Sequence, residues 1–249
     1  MHEERDVVMS RMNGIESNTV PASDQLKNDQ MIRMDTVSHA HHRILIVGNS
    51  ITRHAPKPDI GWENDWGMAA SSEANDYVHV LQRKVRSECR ETSFCIAQLA
   101  DWERQYWKSS ELLESYRAAA QFNPSMIVMR LAENVPAQEY DREPFGPYYE
   151  QLIDYLNPKQ DAQVIVTTSF WPSQVDDEIR RIARKRGYSL VELGELGQKI
   201  EYSAAGLFEH SGVAAHPGDR GMAAIADAIW EKLEPILKAR EVSGNEPRC

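Results

Sequence analysis

Ile44-Leu45-Ile46-Val47-Gly48-Asn49-Ser50-Ile51-Thr52 is the stretch on which the fold turns. Arg43 precedes a short, continuous, β-branched apolar run, and a Gly-Asn-Ser turn follows it, with a loop rich in Pro, Gly and Trp beyond. A run bounded this way predicts a strand buried on both faces, with the turn at its carboxyl end. In open α/β sheets ligands gather at that end, so Ser50 stands where a nucleophile is useful. Gly-Asn-Ser is also ordinary turn chemistry, and the rest of the chain has to separate the two readings.

Outward from this strand, apolar runs alternate with amphipathic helices. Glu73 to Arg90 carries Tyr77, Val78, Leu81 and Val85 at helical spacing, with Ser71 or Ser72 as N-cap. Strands are expected at Ser93–Ala97, Met126–Met129, Val164–Thr168 and Tyr188–Val191. Helices are expected at Ser109–Gln121, Phe145–Leu156, Asp176–Arg186 (closed by Gly187) and Gly221–Leu237, the last capped by Asp219. Five continuous apolar strands alternating with helices specify a parallel, flavodoxin-like sheet in a three-layer α/β/α sandwich. Residues 1–42 are polar and without period, and read as a disordered or loosely packed tail that includes His39, His41 and His42. A single domain over residues 43–240 follows, then a short tail at 241–249.

Composition narrows the function. With 28 Lys and Arg against 38 Asp and Glu, the net charge is −10, which disfavours nucleic acid and anionic membrane as partners. Three cysteines (Cys89, Cys95 and Cys249) show neither disulfide-scaffold nor zinc spacing, which suits a reducing compartment. The amino terminus lacks the apolar core of a signal peptide, and no run approaches membrane-spanning length, so the expected location is the cytoplasm. Walker and Gly-x-Gly-x-x-Gly loops are absent, and no cofactor or metal is expected.

Three further features bear on Ser50. Ala132-Glu133-Asn134 follows the third strand, bringing Asn134 to the same sheet edge, and the second strand ends nearby at Gln98-Leu99-Ala100-Asp101. His216 precedes the final helix in Val213-Ala214-Ala215-His216-Pro217-Gly218-Asp219. This ordered set resembles the SGNH (GDSL-type) hydrolase superfamily over residues 43–240, with Gly48-Asn49-Ser50, Ala132-Glu133-Asn134 and Val213-Ala214-Ala215-His216 standing for its first, third and fifth blocks. Ile60-Gly61-Trp62, Trp66-Gly67-Met68-Ala69-Ala70-Ser71 and His216-Pro217-Gly218-Asp219-Arg220-Gly221-Met222 are similar to a bacterial Gly-Asn-Ser-Ile-Thr branch associated with carbohydrate contexts.

The resemblance implies a serine esterase. Ser50 would be the nucleophile and His216 its base, with an oxyanion hole from the Ser50 and Ala100 backbone N–H groups and the Asn134 carboxamide. Ala100 stands in for the family's second-block glycine. The family's triad acid falls on Val213, so a Ser-His dyad is expected, its imidazole held by a backbone carbonyl or by Glu209. Asn49, Trp62, Trp66, Glu103 and Glu133 are candidate substrate contacts, the tryptophans for stacking on sugar rings or else for core and lid packing, and the carboxylates for sugar hydroxyls or else for pairing with Arg104 or Arg130. The expected substrate is a short acyl ester, acetyl first, of a carbohydrate or similar small molecule. A longer-chain lipase or thioesterase and a catalytically silent glycan-binding protein are the alternatives.

Overall fold

A computed structural model describes residues 31–242. The sequence expectations for residues 1–30 and 243–249, Cys249 included, lie outside the described residues. Six strands form one sheet: β1 (Ile32–Asp35), β2 (His42–Gly48), β3 (Thr92–Gln98), β4 (Met126–Arg130), β5 (Gln163–Thr167) and β6 (Ser189–Val191), in the order β1-β3-β2-β4-β5-β6. From β3 to β6 the pairings are parallel, which is the expected flavodoxin-like arrangement. β1 is the departure. It pairs antiparallel with β3, from Ile32 opposite Ala97 to Asp35 opposite Phe94. Part of the segment read as a tail is therefore an edge strand, and Met31 beside it is buried. His42 is likewise buried as the first residue of β2 rather than solvated.

Strand alternation divides the core into two layers. Ile44, Ile46, Phe94, Ile96, Met126, Val128 and Ile165 face a layer containing helices α1 (Tyr77–Glu88) and α6 (Asp219–Val242). Leu45, Val47, Ala97, Ile127, Met129, Val164 and Val166 face the opposite layer, which includes α3 (Phe145–Leu156) and α4 (Asp176–Arg186), with α2 (Ala100–Arg104) at its edge. Each wholly buried aliphatic side chain contributes on the order of 1.5–3 kcal/mol by leaving water, which is why strands this short hold.

Local chemistry sets the helix boundaries. α1 begins later than the periodicity suggests because Asp76, not Ser71 or Ser72, accepts the His79 N–H; Glu73–Asn75 forms a separate 3-10 turn. Gly187 closes α4 in the left-handed conformation, φ 69°, as expected. The expected helix over 109–121 is broken into short turns, and α6 starts at Asp219 itself. The Asp219 carboxylate instead accepts from the Ser71 N–H (2.8 Å), the Ser71 hydroxyl (2.6 Å) and Asn75 (3.0 Å), tying the long loop after β2 to α6.

Among the described residues no helix is long and apolar enough to cross a membrane. Cys95 is free and buried, whereas Cys89 is disulfide-bonded, so the cysteines no longer point to a reducing compartment.

Close packing at the active edge of the sheet falls on Gly48, between Gln98 of β3 and Arg130 of β4. A β-carbon there would lie 1.8 Å from Thr52 Oγ1, a hydroxyl engaged with Tyr77 Oη at 2.7 Å. Gly48→Ala should therefore destabilise the protein by about 1–3 kcal/mol in urea denaturation.

Candidate active site

Ser50 leaves the carboxyl end of β2 in a turn in which the Asn49 carbonyl accepts the N–H groups of Thr52 (2.9 Å) and Arg53 (3.0 Å). Its carbonyl is bound by the Met68 N–H at 2.9 Å, and the half-buried side chain stays reachable. His216 follows the short helix α5 (Ser211–Ala215), terminated where the His216 N–H meets the Val213 carbonyl. Ser50 Oγ and His216 Nε2 lie 2.9 Å apart, and His216 Nδ1 lies 2.6 Å from the Gly212 carbonyl oxygen. A carbonyl only accepts, so Nδ1 carries the proton and Nε2 turns its lone pair to the serine hydroxyl. The ring is 8% exposed, and Trp171 meets it edge-on with centroids 5.2 Å apart. Burial lowers the imidazole pKa from 6.5 to about 4, against the opposing pull of the Gly212 carbonyl; His54 and Arg130 lower it further. The imidazole is thus neutral at neutral pH.

Beneath the nucleophile is a buried polar cluster drawn from several loops. Arg130, at the end of β4, donates from Nη1 to Glu133 Oε1 (2.7 Å) and from Nη2 to Asn49 Oδ1. Asn49 Nδ2 donates to Glu133 Oε2 (2.6 Å) and to both oxygens of Glu103 (3.0 and 3.2 Å). Glu133 also accepts the Phe170 N–H at 2.9 Å, which fixes the loop carrying Trp171. Glu103, on α2, accepts from the Ala132 N–H and from Asn134 Nδ2 at 2.6 Å. The Glu103 carboxyl is held above the ordinary range by burial and by the Glu133 charge. Glu133 is held below that range despite its burial, chiefly by the Arg130 guanidinium.

The other expected site residues are placed unevenly. Asn49 and Glu103 are buried, as is the side chain of Glu133, and every contact above is made to protein. Trp62 is wholly buried against Met68, Ala69, Ala204 and Val213, with its Nε1 donating to the His54 carbonyl at 3.2 Å; it has no face left for a sugar. Trp66 is half-buried, and its Nε1 donates to the Ala70 carbonyl at 2.9 Å. The Ala100 N–H is directed to Gln98 Oε1 at 3.2 Å. Glu209 is exposed, and it is a backbone carbonyl that holds the imidazole. Arg130, Trp171 and the Gly212 carbonyl were missed as parts of the site. An arginine ending an otherwise apolar strand was the available signal for the first.

No protein-family model and no curated protein matches the chain. Solved structures do. A family 3 carbohydrate esterase from Clostridium thermocellum aligns at 16% identity and TM-score 0.54, over 80% of this chain and 98% of its own. A Parabacteroides merdae protein described as a GDSL-like lipase aligns at 14% and 0.52, over 79% of this chain and 98% of its own. A two-domain esterase active on acetylated mannans aligns at 16% and 0.51, over 90% of this chain but 59% of its own. These likenesses establish the α/β/α fold expected from the SGNH (GDSL-type) resemblance.

Two substitutions test the local reading. Val213 is wholly buried among apolar side chains, so Val213→Asp should cost about 3 kcal/mol or more in chemical denaturation and bring no gain in rate. Ala132 sits at φ 137°, a region nearly reserved for glycine, so Ala132→Gly should be at least as stable as the wild type by the same measurement.

Proposed function

We propose that the protein is a serine esterase of the SGNH (GDSL) type that removes short acyl groups, acetyl foremost, from a carbohydrate or related small molecule. The observation that carries this reading is the Ser50 Oγ–His216 Nε2 contact of 2.9 Å, with the opposite ring nitrogen held by Gly212. His216 takes the Ser50 proton as Oγ attacks the acyl carbonyl, then gives it to the departing sugar alkoxide. Water, deprotonated by the same imidazole, releases the acid. The oxyanion is assigned to the Ser50 backbone N–H and to Asn134, whose carboxamide is brought to the same cluster as Asn49.

A sugar ester is favoured because two proteins of the same fold are a family 3 carbohydrate esterase and an esterase active on acetylated mannans. A carbonyl in place of an aspartate orients the imidazole but gives the imidazolium less stabilisation, so turnover should be slower than that of a Ser-His-Asp enzyme.

Hydrolysis of p-nitrophenyl acetate, acetylated xylo- and manno-oligosaccharides and a series of longer acyl esters tests the reading. Ser50→Ala and His216→Ala should each lose at least about 10³-fold in kcat. Wild-type activity surviving Ser50→Ala would overturn the mechanism. The base works only when unprotonated, so kcat/KM should hold as pH falls below 6.5 and reach half its plateau near pH 4.

A further inference from the structure

We propose that Glu103 is the positioning residue of the oxyanion hole, orienting the Asn134 carboxamide and the backbone that carries it. This rests on the esterase reading above.

Three observations converge on Glu103. Its side chain is wholly buried, on a helix outside the three blocks that carry the nucleophile, carboxamide and base. One oxygen, Oε2, accepts from Asn134 Nδ2 at 2.6 Å, and the other, Oε1, accepts from the Ala132 N–H two residues earlier. The third donor is Asn49, immediately before the nucleophile, which reaches both oxygens.

An asparagine amide can turn over, exchanging its oxygen for its nitrogen at little cost in shape. In an oxyanion hole that exchange would be ruinous, since the oxygen would then face the developing negative charge. Both Glu103 oxygens are met by N–H donors from Asn49, Ala132 and Asn134, which leaves no acceptor among them for a carboxyl proton; as a carboxylate it accepts and does not donate, so it admits only the nitrogen side of Asn134. With one N–H anchored on Glu103, the second is left in a fixed direction for the substrate oxyanion. The same carboxylate pins Ala132 at φ 137°, where an alanine would otherwise relax and swing the Asn134 loop. Glu103 thus does for the carboxamide what the Gly212 carbonyl does for the imidazole: it selects one of two orientations. The positions of the donors, 29 to 54 residues away in sequence, explain why the role is invisible in the chain order.

A double-mutant cycle on full-length protein with p-nitrophenyl acetate tests this, using Glu103→Gln, Asn134→Ala and the pair. Glutamine keeps the shape but offers a donor to a nest of donors. Loss of one oxyanion donor costs about 10²–10³-fold in kcat, which bounds the effect of Asn134→Ala. Glu103→Gln should lower kcat at least about 10-fold with KM little changed, and should add almost nothing once Asn134 is alanine. Losses that multiply, or a Glu103→Gln enzyme with wild-type kcat, overturn the assignment. If Glu103→Gln does not fold, Glu103→Asp replaces it: the charge remains, but the shorter arm cannot reach Ala132 and Asn134 together, and the cycle is read in the same way. A wild type inert toward every ester would overturn the esterase reading, and this inference with it, whereas an active wild type with multiplicative losses overturns this inference alone.

Discussion

A guanidinium with no access to water organises this molecule. Arg130 closes β4 and meets Asn49 from the turn after β2 and Glu133 from its own following loop, while Glu133 reaches on to Phe170 beyond β5. Taking such a cation out of water costs several kcal/mol, and only close, well-directed acceptors offset that. The loops at the carboxyl edge of the sheet are therefore obliged to converge. Their meeting point includes Asn49, immediately before Ser50, so the demand to satisfy one buried charge also sets the backbone that presents the Ser50 hydroxyl.

The base is held by a different kind of force. Gly212 supplies a dipole where an aspartate would supply a full charge, and the buried imidazole is left with a strong preference for neutrality. Selection of the tautomer survives this exchange, because any acceptor at Nδ1 achieves it. What weakens, in the proposed mechanism, is the stabilisation of the protonated ring formed during turnover. The neighbouring apolar packet around Val213 shows why a carboxylate has no place there: Trp62, Met68 and Ala204 leave it neither water nor a donor.

How much of this could be read along the chain depended on whether the signal was local. The strand ending at Gly48-Asn49-Ser50, the helix closed by Gly187 and the parallel order of the sheet all follow from short-range apolar pattern and turn chemistry. The pairing of Ser50 with His216, 166 residues apart, was implied by the resemblance of their ordered motifs to the SGNH (GDSL-type) blocks and by no local pattern. Burial of carboxylates was not legible. Pairing of Glu133 with Arg130 could be read three residues apart in the chain, but the remaining donors to Glu103 and Glu133 come from other loops. Trp62 misled for a related reason, since a tryptophan in an aperiodic loop carries no pattern to say which way it points. The edge strand Ile32–Asp35 escaped because, with Arg33 and Asp35 among its four residues, it lacks the continuous apolar run of an interior strand.

That edge strand has a consequence for how the protein keeps to itself. β3 is seven residues long and buried throughout, and a bare flank of that length would offer a ladder of free amides and carbonyls to any passing chain. With β1 laid along it in the opposite direction, the sheet meets its surroundings through strands of only four and three residues. Among the described residues the sheet thus ends on short, poorly adhesive borders, a safeguard against self-association.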